Sequence, residues 1–413
     1  MMLKSMGGML DRGRGHRVIA LCLGIVTLCA TSLIGVTTEA TAASSSSVSV
    51  TVIAPLTGSA GVYIPWVDAI KGTVKAINAK GGANGHKIKL TVCDAGESNN
   101  TEQACGEKAV QDKSVGIIDM EAAVAPFTEF TDPHDIPRFG FIEDPLDGTD
   151  PLSFETADAG GSAVQGTVAL AKHSGCTNLA WVREDPGSAS AIALKEAAIT
   201  ASAKTLKLKV EITEVPTTAT SVTSYVATAL ASNPDCMIGE GFGAPEVSLL
   251  EAEAQQAPSS VQLFTIAALI NPAAATSLGS VLNRVKTLSF SWPVSSAASQ
   301  PGVRLFESVM KKYDPKPYQL DNNSQNMWAN TMALAAAIGK VSGPVTAKKV
   351  YAELRTFKNY NTNIGPPVSF DVAMKAPVPP RIYAPYGIAE KFVNGTLVAD
   401  GGFFNMFTGN SVK

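Results

Sequence analysis

From Val48 onward the chain alternates short apolar runs rich in β-branched residues with longer stretches whose apolar residues recur three and four positions apart. Runs of the first kind suit strands buried between layers, and stretches of the second kind suit amphipathic helices. The alternation therefore predicts α/β layers around mostly parallel sheets. A first series reads strand 48–55, helix 66–82, strand 86–94, helix 101–113, strand 115–120 and strand 136–142. A second reads helix 160–172, strand 178–184, helix 188–203, strand 208–215, helix 219–232, strand 235–241, helix 245–256, strand 261–267 and strand 286–293. Helices 302–313, 326–341 and 347–357 follow, and then a proline-rich tail with short extended pieces. Two βα series of similar size predict two doubly wound lobes. Ligands of such sheets bind beyond the carboxyl ends of the strands, so two facing lobes would share one cleft. No short internal repeat is visible, which removes solenoids and propellers.

The segment before this pattern reads differently. Lys4, Arg12, Arg14 and Arg17 precede an apolar run from Val18 to about Val36, and Ala40-Thr41-Ala42 offers a cleavage site. A secretory signal peptide spanning 1–42 is expected. The alternatives are an uncleaved anchor, since the run is nearly long enough to span a bilayer, and lipidation at Cys22 or Cys29, which the preceding leucines disfavour. Taking the four basic and two acidic side chains of that segment from the chain's 33 and 36 leaves a net charge of −5, with no basic excess to suggest nucleic acid.

The exported part keeps four cysteines, Cys93, Cys105, Cys176 and Cys236, for which two disulfides are expected rather than buried thiols. Cys93 closes a strand and Cys105 lies in the next helix, so a bridge between them would pin the loop 94–101. Cys176 and Cys236 each sit at the start of strands that are neighbours in a 2-1-3 order, so a second bridge would staple those strands at the end away from the cleft. No Cys-x-x-Cys exists and the histidines are scattered singly, so no metal and no cofactor is expected.

Several motifs lie at predicted strand ends. "GEGFGA" (239–244) has the Gly-x-Gly-x-x-Ala form after a strand, but the next strand ends in "TIAAL" without the acid that would hold a ribose. The turn is read instead as one whose amides face the cleft and hold a polar group. Glu121 follows a strand where a loop should meet ligand, with a solvated loop glutamate as the alternative, and Glu143-Asp144 and Arg183-Glu184-Asp185 sit at equivalent strand ends, where their charges could read a ligand ammonium or bind one another. Tyr63, Phe242, Trp292 and Trp328 are candidate wall residues, each with core filling as the alternative, most strongly for Trp328 among Met327, Met332 and Leu334. Asn99-Asn100-Thr101, Asn322-Asn323-Ser324 and Asn394-Gly395-Thr396 have the form of glycosylation sequons. No nucleophile elbow or Walker loop appears, and nothing fixes the separation of the cleft acids for glycoside hydrolysis.

Five stretches together resemble the extracytoplasmic solute-binding proteins of the branched-chain amino-acid type that serve ATP-driven importers. They are "VTVIAPLTGSAGVY", "AIKGTVKAINAKGGANGHKIKLTVCDA", "FETADAGGSAVQG", "NLAWVREDPGSASAIALKEA" and "NPDCMIGEGFGAPEVSLLEAEAQ". "NRVKTLSFSWP" continues the match where the chain crosses back. The resemblance implies an α/β Venus-flytrap of two doubly wound parallel-sheet lobes joined by three crossovers, near 155–158, 290–294 and 375–384. Lobe one would comprise 43–156 plus 292–376, and lobe two 157–291 plus 377–413.

The same resemblance implies a monomeric, non-enzymatic receptor outside the cytoplasm, with a small-molecule solute and a membrane ABC permease as partners. A sensing domain of the same fold is the alternative, and a secreted hydrolase a more distant one. Implied ligand contacts are Tyr63, Glu121, Ala122, Glu143, Asp144, Asp185, Phe242, Ala268, Trp292 and Trp328. The serine and threonine that grip an amino-acid carboxylate in the family are replaced here by "MEAAVAP" and "IEDPLDG", and the acid for the ammonium by "TIAALIN". A larger, partly apolar or cationic solute is therefore expected.

Overall fold

The computed structural model of the chain describes residues 47–57, 64–96, 98–120, 126–140, 148–158, 162–185, 189–241, 244–270, 272–314 and 321–412. The expected signal peptide lies outside them, as do Tyr63, Glu121, Ala122, Glu143, Asp144 and Phe242. Residues Ser44–Lys413 form one compact unit.

The first series folds as β1 (Ser47–Ala54), α1 (Ile64–Ala79), β2 (Lys87–Asp94), α2 (Asn99–Gln111), β3 (Ile117–Asp119), α3 (Thr128–Thr131), β4 (Arg138–Phe139) and β5 (Ser153–Phe154). Its five strands are all parallel, in the order β2-β1-β3-β4-β5. The second series gives α4 (Ala163–His173), β6 (Asn178–Glu184), α5 (Ala189–Leu206), β7 (Lys209–Val215), α6 (Thr223–Leu230), β8 (Cys236–Glu240), α7 (Ala244–Gln256), β9 (Gln262–Ile266), α8 (Pro272–Leu278) and β10 (Val285–Ser289). These strands pair in parallel as β7-β6-β8-β9-β10, the same winding as the first sheet.

The chain then returns to the first sheet through α9 (Pro301–Tyr313), α10 (Asn322–Lys340) and α11 (Ala347–Leu354). Leu334 and Ile338 of α10 pack with Ile70 of α1 and with Val50, Val52 and Ile118 of the strands, all nearly inaccessible to water. Finally β11 (Tyr386–Val393) and β12 (Thr396–Asn405) add an antiparallel hairpin beside β10. The hairpin turns at Asn394-Gly395, with φ of 51° and 75°, the left-handed pair that a two-residue turn matching the strand twist requires.

Local chemistry explains the βα joints. Helix α1 ends where Gly82 N–H donates to Ile77 O (3.0 Å) and Gly81 N–H to Asn78 O (3.1 Å), satisfying carbonyls the helix leaves unpaired. Gly82 has φ of +90°, and a Cβ there would lie 2.3 Å from His86 O, so only glycine fits. Helices α2, α4 and α5 close with the same two bonds, through Lys113, Gly175 and Lys207 in left-handed conformation. At Lys113 and Lys207 the side chain makes that conformation strained.

Both disulfides form, Cys93–Cys105 from β2 to α2 and Cys176–Cys236 from the loop before β6 to the start of β8. Because Leu179 faces Cys236 across the ladder, the second bridge ties neighbouring strands at their amino ends, opposite the cleft side. Cys176, Asp235 and Cys236 are the His/Cys/Asp/Glu group whose ligand atoms cluster among the described residues, but both sulfurs are bonded to each other. Among the described residues no helix is long and apolar enough to cross a membrane.

Candidate functional site

At the carboxyl edge of the first sheet, Asp94 ends β2 directly opposite Ala54 at the end of β1. Its carboxylate accepts from Leu56 N–H (2.9 Å), Thr57 N–H (3.3 Å), Thr57 Oγ1 (2.7 Å) and Gly96 N–H (2.9 Å). Partial burial disfavours the charge, but these donors outweigh it and hold the carboxyl below its ordinary value. The β1–α1 loop, which carries Tyr63, therefore leaves the sheet in a fixed direction.

The edge of the second sheet is strongly charged. Arg183 near the end of β6 is fully buried, faces Glu240 across one ladder and Glu214 across the other, and pairs with Glu214 through Nε at 3.2 Å. Glu240 accepts from Trp181 Nε1 (2.9 Å) and pairs with Lys195 of α5. Burial raises the Glu214 carboxyl; Arg183 opposes that rise, while Glu196, Asp185 and Glu240 add to it. Asp185 thus belongs to an acid-rich strand end, and its backbone N–H donates to Val215 O at 2.9 Å.

The glycine turn after β8 departs from the reading of its amides as ligand donors. Gly241 N–H is taken by the chain's own Glu246 Oε2 at 2.8 Å, and Glu246 Oε1 lies 2.5 Å from Thr265 Oγ1 of β9. Burial drives the Glu246 carboxyl up to about 8 despite these bonds. One helical stretch on, Glu253 is fully buried, its two oxygens lack hydrogen-bond partners, and burial holds it well above the ordinary value. Two buried carboxyls of α7, both raised by burial, therefore lie against the end of β8 and the glycine that opens this turn.

Between the sheets the chain crosses at residues following β5, β10 and α11, and α10 holds the first two of these crossings. Asn330 Oδ1 accepts from Thr156 N–H (3.1 Å) and Thr156 Oγ1 (2.7 Å) after β5. Gln325 Nε2 donates to Trp292 O (2.9 Å) after β10. One turn earlier Asn322 Nδ2 donates to Ser289 Oγ (2.5 Å) and Glu390 Oε1 (3.2 Å). The third passage is fixed by Ala384 N–H donating to Glu155 Oε1 at 3.1 Å. Asp321 caps this helix by accepting from Ser324 N–H at 2.6 Å.

Of the expected contacts, Trp292 lies half-buried on the second crossing, its ring edge-on to Phe403 at 4.9 Å and its backbone N–H donating to Ile364 O at 2.7 Å. Ala268 lies in the short helical turn Ala267–Leu269 that follows β9. Trp328 is fully buried against Phe306 at 5.8 Å, in a seam with Ile77, Val309 and Met332 between α1, α9 and α10. The polar run Asn322, Gln325, Asn326 and Asn330 is a signal the sequence reading lacks, although amides at three- and four-residue spacing (322, 325 or 326, 330) beside Met327 and Leu334 are a readable buried polar stripe. The Asn322 sequon is likewise structural, because its amide nitrogen is spent on Ser289 and Glu390.

The family profile described as periplasmic binding protein matches residues 47–378. No curated protein matches the sequence significantly. Among solved structures, a branched-chain amino acid ABC transporter protein from Thermus thermophilus with bound valine is 16% identical, covers 87% of this chain and 97% of its own, and has a TM-score of 0.70. A leucine-binding protein from Thermotoga maritima is 16% identical, with coverage of 87% and 99% and a TM-score of 0.65. A solute-binding protein from R. palustris in complex with 4-hydroxybenzoate is 16% identical, with coverage of 87% and 97% and a TM-score of 0.66. At these identities the likeness is one of fold, and it is the fold of two parallel-dominated sheets already described. With four-fifths of its length matched by the profile, the chain belongs to the periplasmic binding protein family.

Proposed function

We propose that the protein is the exported receptor of an ABC importer, which captures a small organic solute between its two sheets by hinge closure and hands it unchanged to a membrane permease. The observation that carries this reading is the pairing of two sheets of identical winding through crossings that a single helix, α10, holds by Asn330 and Gln325. The cleft side of each sheet is the edge where such folds bind ligands. The ligand is a solute other than a standard α-amino acid. The loops "MEAAVAP" and "IEDPLDG" lack the hydroxyls that would hold an amino-acid carboxylate, and Asp185 stands in an acid-rich strand end that favours a cationic or amphipathic solute. Relatives of this fold hold valine in one case and 4-hydroxybenzoate in another, so the fold alone leaves the ligand class open. Tyr63, Phe242 and Trp292 supply the apolar walls in this reading.

The test is thermal shift of the purified protein against amino acids, amides, aromatic acids, sterols and quaternary amines. A ligand at about 100 times its dissociation constant adds about 2.7 kcal/mol of stability and a visibly raised midpoint. A response confined to branched-chain amino acids would overturn the ligand assignment, and turnover of a responding compound would overturn the receptor reading.

A further inference from the structure

On the first sheet's side, two guanidinium groups converge on one phenol. Arg355, just beyond α11, donates from Nη1 to Tyr383 Oη at 2.7 Å, and Arg381 donates from its own Nη1 to the same oxygen. The remaining bond of the pair runs from Arg355 Nη2 to Asp371 O at 3.3 Å. Asp371's carboxylate is paired with Lys358 instead, at 3.4 Å. Neither arginine has a carboxylate within ion-pair distance among the described residues. Two donors that share one acceptor atom lie within about 6 Å of each other, so two like charges are held together with no counter-charge among the described residues.

Tyr383 makes the arrangement a built one. Its ring is 1% exposed, stacked on Phe154 at 6.0 Å and edge-on to Phe370 at 5.1 Å, so the hydroxyl cannot swing away. Arg381 is itself anchored, its backbone N–H donating to Gly148 O at 2.9 Å. Both arginines are half-buried and retain side-chain N–H groups that no atom of the described residues accepts from.

We propose that Arg355 and Arg381, held side by side by the buried Tyr383 hydroxyl, form a binding site for a small oxyanion of the phosphate or sulfate type. Guanidinium forks match the oxygen edges of such anions. The bound anion would bridge the end of α11 to the segment 375–384, so it would strengthen the third crossing without occupying the cleft.

The experiment measures the unfolding midpoint and calorimetric binding of the full chain in inorganic phosphate, sulfate, acetate and chloride at equal ionic strength. Saturable binding of phosphate or sulfate with a raised midpoint is expected, weakened about tenfold or more by Arg355→Gln or Arg381→Gln. In chloride, Arg381→Gln should melt above the wild type, because it removes one of two repelling cations; in phosphate the order should reverse. An arginine that is merely a structural hydrogen-bond donor would leave Arg381→Gln less stable in both salts, and that result overturns the proposal. So does an absence of saturable phosphate and sulfate binding to the wild type, a measurement that does not depend on any variant folding.

Discussion

Replacing Glu246 by glutamine tests whether a protonated carboxyl is part of this fold. In the unfolded chain the group ionises near 4.5, whereas burial raises it to about 8 in the folded protein. A folded value above the unfolded one means that the folded state keeps a proton the unfolded state has lost. The associated stability is fully present below pH 4.5 and is lost as pH rises through about 8. For one such group the loss between pH 5 and pH 7.5 amounts to about 3 kcal/mol.

Glutamine copies the neutral acid at this position. Its carbonyl can accept from Gly241 N–H and its amide can donate to Thr265 Oγ1, the two partners Glu246 already has. Glu246→Gln should therefore match the wild type within about 1 kcal/mol at pH 5 and exceed it by about 3 kcal/mol at pH 7.5. Urea unfolding followed by circular dichroism across that range measures both chains. Parallel pH profiles would show that Glu246 is ionised in the folded protein, and the argument from burial would fail.

Further outcomes follow from other contacts. Glu390 is also raised to about 8 by burial, against bonds from Asn322, Ser289 and Thr287, so Glu390→Gln should flatten the same pH slope by about 1.4 kcal/mol per unit, read by the same titration. Removing Cys176–Cys236, which spans 60 residues, should cost about 4 kcal/mol, and removing Cys93–Cys105, which spans 12, about 3 kcal/mol, measured by denaturant unfolding of the serine pairs. Lys207→Gly should stabilise by up to about 1 kcal/mol, because glycine takes the φ of 57° without a Cβ clash; a lowered midpoint in thermal unfolding would contradict this. Asn330→Ala should cost about 1–3 kcal/mol by stranding Thr156, and should also weaken ligand binding if the crossing governs closure, which calorimetry with a responding solute would read.

The strands and helices of both windings were legible because apolar periodicity reports burial directly. Both cysteine pairs were legible because strand order fixes which chain ends meet. Short β5 was not seen, since two residues, Ser153 and Phe154, carry no period. Apolar periodicity starts α10 at 326 rather than Asn322, while in the fold Asp321 caps it and the amides find partners 33 to 174 positions away. Such partners come from tertiary contact and leave no local pattern. The same holds at Gly241, where the expected ligand-facing amide is satisfied by a carboxylate five residues on. The Asn394-Gly395 pair belongs to a sequon by its form, although its turn chemistry announces the hairpin that closes the second sheet.

Helix α10 grips one crossing at Asn330 and another at Gln325, five residues apart on a rigid rod and so separated by about 7.5 Å along its axis. The connections after β5 and after β10 are thereby tied to one rod, so a substitution at either amide would be felt at both.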